Sequence, residues 1–181
     1  MKKIMIFLLV GMLSLSLHSQ HVFNKGDLLF NAGIGGLSSD GWIPSVNVSG
    51  EYGVIPTGDI GLVSFGGIMA YKYSSWSGSY YTTNYDYHYS QFTIGPRATW
   101  HVHAFESDKW DAYGGVGAGM RFWTQYQWDQ GTLNYVNKAK VSPYGEVYVG
   151  GRMMFSESFG LFAEVGYGTL SAIKFGVTFG F

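Results

Sequence analysis

From Asp27 onward, apolar side chains fall at every second position over stretches of about ten residues, the period of a β-strand with one apolar face. The alternation is cleanest at the end of the chain. Ile173, Phe175, Val177, Phe179 and Phe181 share one face, and Lys174, Gly176, Thr178 and Gly180 share the other. Upstream, Leu28, Phe30, Ala32 and Ile34 alternate with Leu29, Asn31 and Gly33, and Val46, Val48 and Tyr52 with Asn47, Ser49 and Glu51. A third segment, from about Asp59 to Tyr73, is apolar on both faces, so its phase stays open. Phe92, Ile94, Ala98, Trp100 and Val102 then alternate with Gln91, Thr93, Arg97, Thr99 and His101. Trp110, Ala112, Val116, Ala118, Met120 and Phe122 alternate with Asp111, Tyr113, Gly115, Gly117, Gly119 and Arg121. Val147, Val149, Met153 and Phe155 alternate with Glu146, Tyr148, Gly150 and Arg152. Leu161, Ala163, Val165 and Tyr167 alternate with Gly160, Phe162, Glu164 and Gly166, bringing the predicted strands to eight.

The predicted connections alternate in length. Short ones fall at Val54–Gly58, Glu106–Lys109 and Ser156–Ser158; longer ones fall at Leu37–Trp42, Ser74–His88 and Thr124–Val141, with a brief fourth at Thr169–Ser171. Short turns on one side and long loops on the other are the asymmetry of membrane-spanning barrels. Trp110 and Phe122 share a face twelve residues apart, roughly 40 Å along a strand at ~3.4 Å per residue. Tilted by ~40°, that is roughly 31 Å along the membrane normal, so the two rings flank an apolar band of ~25 Å.

Composition turns the strand pattern into a membrane reading. Apolar residues make up 46% of the 181 and charged residues only 13%, about half the charge of an average soluble domain. No run long enough for a membrane helix exists beyond the first twenty residues. Few charges and no spanning helix point to strands that close on themselves in lipid. Lys2 and Lys3, the apolar run Ile4–Leu17 and Leu17-His18-Ser19 predict a secretory signal peptide over residues 1–19, cut near Ser19 or Gln20, with the barrel over 20–181. With no cysteine after the apolar run, lipid modification of the N-terminus is excluded, as are disulfides and thiol chemistry. Losing Lys2 and Lys3 leaves 9 basic residues against 12 acidic ones, a mature net charge of −3, and no basic face for nucleic acid.

The predicted fold is therefore all-β: a closed antiparallel up-and-down transmembrane barrel of about eight strands. The competing fold is a soluble β-sandwich or lipocalin-like barrel, which would turn the alternate face to water. That face is rich in Gly, Thr, Ser, Asn and Tyr, with no charge-rich edge strand, and suits a crowded lumen better. It also collects Glu51, Arg97, Arg121, Glu146, Arg152, Glu164 and Lys174. An eight-stranded lumen is just wide enough for side chains to fill it, and buried ions must be paired. The expectation is a salt-bridged plug, with Glu164 and Lys174 on adjacent strands as the first pair.

Other features carry less. His101 and His103 stand two apart with Glu106 and Ser107 behind them, a set that could supply a base, an orienter and a nucleophile, or share a metal. Spacing fixes neither a third ligand nor a triad, and they read as lumen or rim histidines; no catalytic, metal or cofactor site is assigned. Gly114–Gly119 lacks the Lys-Ser/Thr and following helix of a phosphate loop and reads as relief of crowding in a curved strand. Asn47-Val48-Ser49 sits in a strand and is set aside as a glycosylation site. The long loops hold Trp76, Tyr80, Tyr81, Tyr85, Tyr87, Tyr126 and Trp128 among Ser, Thr, Gly and Asn. This is the chemistry of an adaptable binding surface, or of an outer aromatic girdle.

The leader, the eight alternating segments and the final Phe175-Gly176-Val177-Thr178-Phe179-Gly180-Phe181 resemble the small eight-stranded outer-membrane proteins of the OmpA-like and OmpX-like kind, without a periplasmic domain. The resemblance implies a Gram-negative outer membrane. It also implies that Phe175, Val177, Phe179 and Phe181 form a signal read by the barrel-assembly machinery. The function expected is structural or surface-binding, with outer-membrane lipid around it and an extracellular ligand at its loops. The alternatives are an enzyme acting on lipid or lipopolysaccharide, with a histidine beside Ser or Glu at the lipid-facing surface, and a narrow porin-like channel.

Overall fold

A computed structural model describes residues 22–38, 41–80, 83–103, 107, 109–129 and 134–181. The leader over 1–19 lies outside the described residues, as do Tyr81 and Glu106. Eight strands follow one another: β1 (Leu28–Gly36), β2 (Ser45–Pro56), β3 (Gly61–Tyr80), β4 (Thr83–Val102), β5 (Trp110–Asp129), β6 (Asn134–Ser156), β7 (Phe159–Tyr167) and β8 (Ile173–Gly180). Each pairs antiparallel with the next, and β8 pairs with β1 to close the barrel. The chain end belongs to that seam. The Phe181 amide donates to Leu28 O at 2.9 Å, and the Leu28 amide donates to Phe181 O at 3.1 Å.

The apolar face of every strand points outward. Phe30, Val46, Phe65, Ile94, Trp100, Val116, Phe122, Val147, Leu161 and Phe175 are all exposed. A surface this apolar is matched to hydrocarbon rather than water. Phe155, Phe159 and Phe179 pack as tilted rings near the short turns, at 6.2 and 5.7 Å, and Phe92 meets Phe122 at 6.1 Å toward the other end. The third segment takes the phase in which Phe65, Met69, Tyr71 and Tyr73 face out and Leu62, Ser64, Ile68, Ala70 and Lys72 face in. Its inward face is apolar because it supplies the floor and wall of the lumen, which explains why alternation alone left it open.

Strand lengths correct one expectation. Ser74–His88 and Thr124–Val141 are not loops for most of their length. β3 pairs with β4 from Gly61↔Val102 up to Tyr80↔Thr83, and β5 pairs with β6 from Trp110↔Met153 up to Asp129↔Asn134. Their Tyr, Trp, Thr and Val content favours strand, and the ladder continues once a neighbour is in register. By contrast β1, β2, β7 and β8 have only 9, 12, 9 and 8 residues. The four central strands therefore rise beyond their neighbours as a sheet, roughly 27 Å of strand from Arg121 to Asp129 at ~3.4 Å per residue.

Register also explains the glycine run of β5. Gly115, Gly117 and Gly119 face into the lumen opposite Tyr148, Glu146 and Tyr144 of β6. A Cβ on Gly117 would lie 2.6 Å from Glu146 Oε1, and one on Gly119 would lie 2.8 Å from the Tyr144 ring. The absent side chains are the space that three large β6 side chains fill.

Candidate functional site

Two clusters of charged side chains occupy the lumen, one above the other. In the lower, Arg152 is wholly buried and reaches two carboxylates: Nη2 to Glu51 Oε1 at 2.5 Å and Nη1 to Asp111 Oδ2 at 2.8 Å. His101 closes the ring, with Nδ1 at 2.9 Å from Asp111 Oδ2 and Nε2 at 3.2 Å from Glu51 Oε2. Ser64 Oγ lies 3.1 Å from both Glu51 Oε2 and His101 Nε2. In the upper cluster, Arg97 Nη2 donates to Glu164 Oε2 at 2.9 Å. Its Nε lies 2.8 Å from Glu146 Oε1 but off hydrogen-bond geometry, so that contact is an ion pair without a directed bond. Lys174 Nζ sits 3.0 Å from Glu164 Oε2 and 3.8 Å from Glu146 Oε2.

Aromatic rings knit the two clusters together. The Arg97 guanidinium lies 3.5 Å above the Tyr148 ring, whose hydroxyl is 2.6 Å from Thr99 Oγ1. The Arg152 guanidinium lies 4.9 Å from the centre of the Tyr113 ring, whose hydroxyl donates to Glu164 Oε1 at 3.3 Å. The cavity left between Glu51 below and Arg97 and Glu164 above has room for about one water. Below, Phe23, Leu29 and Leu62 form an apolar floor, with the Phe23 ring 4.5 Å from His101. Gly26, at φ 97°, turns the N-terminal segment under the barrel, and its amide donates to Gly53 O.

Of the seven charges singled out in the sequence, Glu51, Arg97, Glu146, Arg152, Glu164 and Lys174 lie in these clusters. Arg121 stands apart. Its Nη2 donates to Gly168 O at 2.7 Å, and no carboxylate pairs with it among the described residues. The reason is register: Arg121 lies opposite Ser142, two inward positions above Gly117 and its partner Glu146. The charge network expected from the sequence lacks Asp111, Ser64 and His101, the last of which is read there only as a lumen or rim histidine. Asp111 was on the inward face by alternation, two residues before Tyr113, and could have been included. Ser64 could not, because its strand had no assignable phase.

Ser64, His101 and Asp111 have the order of contacts of a nucleophile, a base and its orienter. The setting does not suit hydrolysis. Ser64 and His101 have no exposed surface, and Glu51 holds the nitrogen that faces the serine. An enzyme acting on lipid needs this set on the outward face, whereas it lies inside the barrel. His103 is half-buried, and Ser107 Oγ accepts from the Lys109 and Trp110 amides in its own turn. Among the described residues, no three His, Asp or Glu side chains are placed to hold a metal.

The expected aromatic surface divides between the two faces of the tall sheet. Tyr126 faces out and stacks with His88 at 5.9 Å and with Tyr135 at 5.0 Å, while Trp128 meets Tyr135 edge-on at 5.2 Å. Trp76 and Tyr87 are cross-strand partners on the inward-facing side. The side chains of Tyr80 and Tyr85 lie outside the described residues, as does the whole of Tyr81. Phe175 and Phe179 face lipid, with Phe181 beside Phe30 at 6.0 Å; Val177 shares their face.

No protein-family model matches the chain, and no curated protein sequence does. Solved structures do. The Yersinia pestis attachment invasion locus protein Ail, in complex with the heparin analogue sucrose octasulfate, superimposes with a TM-score of 0.56 at 15% identity, over 87% of this chain and 99% of Ail. A second structure of Ail gives 0.47 at 16% identity over 87% and 99%. The N-terminal β-barrel domain of Pseudomonas aeruginosa OprF gives 0.47 at 15% identity over 88% and 100%. The chain has the fold of the small eight-stranded outer-membrane β-barrels.

Proposed function

We propose that this protein is an integral outer-membrane barrel of a Gram-negative bacterium, exported with a cleaved leader, that acts as a surface-binding protein and not through its lumen. The observation that carries this reading is the sheet of β3–β6, which continues well past the strands that close the barrel. A barrel that only had to span the membrane would need no such extension. One that met a partner outside would need it, rich as it is in aromatics with few rotatable bonds. The filled lumen, with its two ion clusters and apolar floor, supports a role without flux. The outward face of β8 supports recognition by the assembly machinery.

The test shortens the sheet and leaves the barrel. Joining residue 74 to residue 89 and residue 125 to residue 138 through two-residue turns removes the upper ladder. Cells producing either form are compared for adhesion to a panel of immobilised matrix proteins and polysaccharides. The full-length form is expected to adhere to at least one member, with the shortened form at background. Equal adhesion by both forms across the whole panel would overturn the reading.

A further inference from the structure

Four rows of side chains can be followed across the inner face of the β3–β6 sheet, above the plug. Ala70 lies opposite Thr93, Thr93 opposite Arg121 and Arg121 opposite Ser142. The next row runs Lys72, Gln91, Trp123, Lys140, and the one above it Ser74, Tyr89, Gln125, Lys138. Trp76 and Tyr87 begin the fourth. The described side chains of this face thus carry four cations, four aromatic rings and two amides, with no carboxylate.

The lower two cations serve the barrel. Arg121 reaches across to Gly168 O, and Lys72 Nζ donates to Ser38 Oγ at 2.6 Å, so each ties the sheet to a connection of the short strands. Lys138 and Lys140 are exposed on the edge strand, Trp76 is 64% exposed, and Trp123, Gln125 and Tyr87 are half-buried. Aromatic faces beside amides and cations have the chemistry to hold a sugar ring by its C–H face, its hydroxyls and an acidic substituent.

We infer that this inner face is a binding site for an acidic polysaccharide arriving from outside the cell, with Trp76 and Trp123 as platforms, Gln125 as a hydroxyl partner, and Lys138 and Lys140 holding its carboxylate or sulfate groups. Lipopolysaccharide of the protein's own leaflet would meet the outward face, with Tyr126, Tyr135 and Trp128. The inner face looks over the lumen, away from the surrounding lipid. The inference rests on the surface-binding reading and names the ligand class for it.

The test uses the full-length barrel folded in detergent, titrated calorimetrically with dextran sulfate, hyaluronate and neutral dextran. Dextran sulfate or hyaluronate is expected to bind, more weakly as salt rises, and neutral dextran is not. Lys138→Gln with Lys140→Gln is expected to weaken binding roughly tenfold, the combined worth of two exposed charge contacts. Trp123→Leu, which leaves the charge unchanged, should weaken it as well, whereas Trp128→Leu on the outer face should not. Absence of binding by either acidic polymer would overturn the inference. So would binding that ignores Trp123, which is plain attraction of opposite charges, or binding lost through Trp128→Leu, which places the ligand outside. If the sheet-dependent adhesion described above persists on a protein surface while both acidic polymers fail, this inference falls and the surface-binding reading stands.

Discussion

Replacing Arg152 with Met is expected to destabilise the detergent-folded barrel by about 3–5 kcal/mol, the cost of leaving buried charge uncompensated. Arg152 holds both carboxylates of the lower cluster, Glu51 and Asp111, and only His101 would remain between them. Glu164→Gln should cost less, although Glu164 is as deeply buried. Arg97 and Lys174 keep a full carboxylate, Glu146, at 2.8 and 3.8 Å once Glu164 is gone, whereas Glu51 and Asp111 would share only the His101 imidazole. Urea unfolding followed by Trp fluorescence measures both. Adding Glu51→Gln and Asp111→Asn to Arg152→Met should recover much of the loss, because a neutral core of similar volume carries no orphaned ion. An Arg152→Met barrel within about 1 kcal/mol of wild type would show that the cluster is solvated and worth no more than surface pairs.

Deleting Phe181 is expected to reduce the assembled barrel in the outer membrane severely while leaving the stability of the purified, refolded barrel nearly unchanged. The residue adds one backbone pair to the β1–β8 seam and a half-exposed ring against Phe30. Such a contribution is small beside the ladder that runs from Leu29↔Gly180 to Gly36↔Ile173. On the proposed reading its larger role is to end the outward row of Phe175, Val177 and Phe179 for recognition by the assembly machinery. Cell-surface immunoblotting of the truncated chain, beside denaturant unfolding of the refolded one, separates the two effects. Normal surface levels would remove the assembly role.

The barrel was legible because lipid outside and a packed lumen inside enforce alternation at nearly every position. Ile173 to Phe181 could be read residue by residue. The third strand could not, because Leu62 faces the floor beside Phe23 and Ile68 faces the lumen wall, so the inward side there is apolar too. Polarity also misjudged the tall sheet. Ser, Thr, Tyr and Asn beyond the membrane suggest loop by polarity, although a strand in water on both faces needs no apolar period. The charge network was visible as a set of inward positions but not as two clusters. That division follows from the pairing offsets, which place Asp111 opposite Arg152 at one level and Gly117, between Arg97 and Glu146, six residues higher along β5. Phe23 had no periodic signal at all, since it plugs the floor from outside any strand.

The chain has no cysteine, so single cysteines can report where each end of the barrel lies. The decisive measurement is labelling of intact cells with a membrane-impermeant maleimide, comparing Asn137→Cys, exposed on the upper part of β6, with Ser107→Cys in the turn before β5. Asn137→Cys is expected to be labelled on intact cells, and Ser107→Cys only after the outer membrane is opened. Labelling of Ser107→Cys alone on intact cells, or of neither until lysis, would contradict a barrel that raises its β3–β6 sheet from the cell surface.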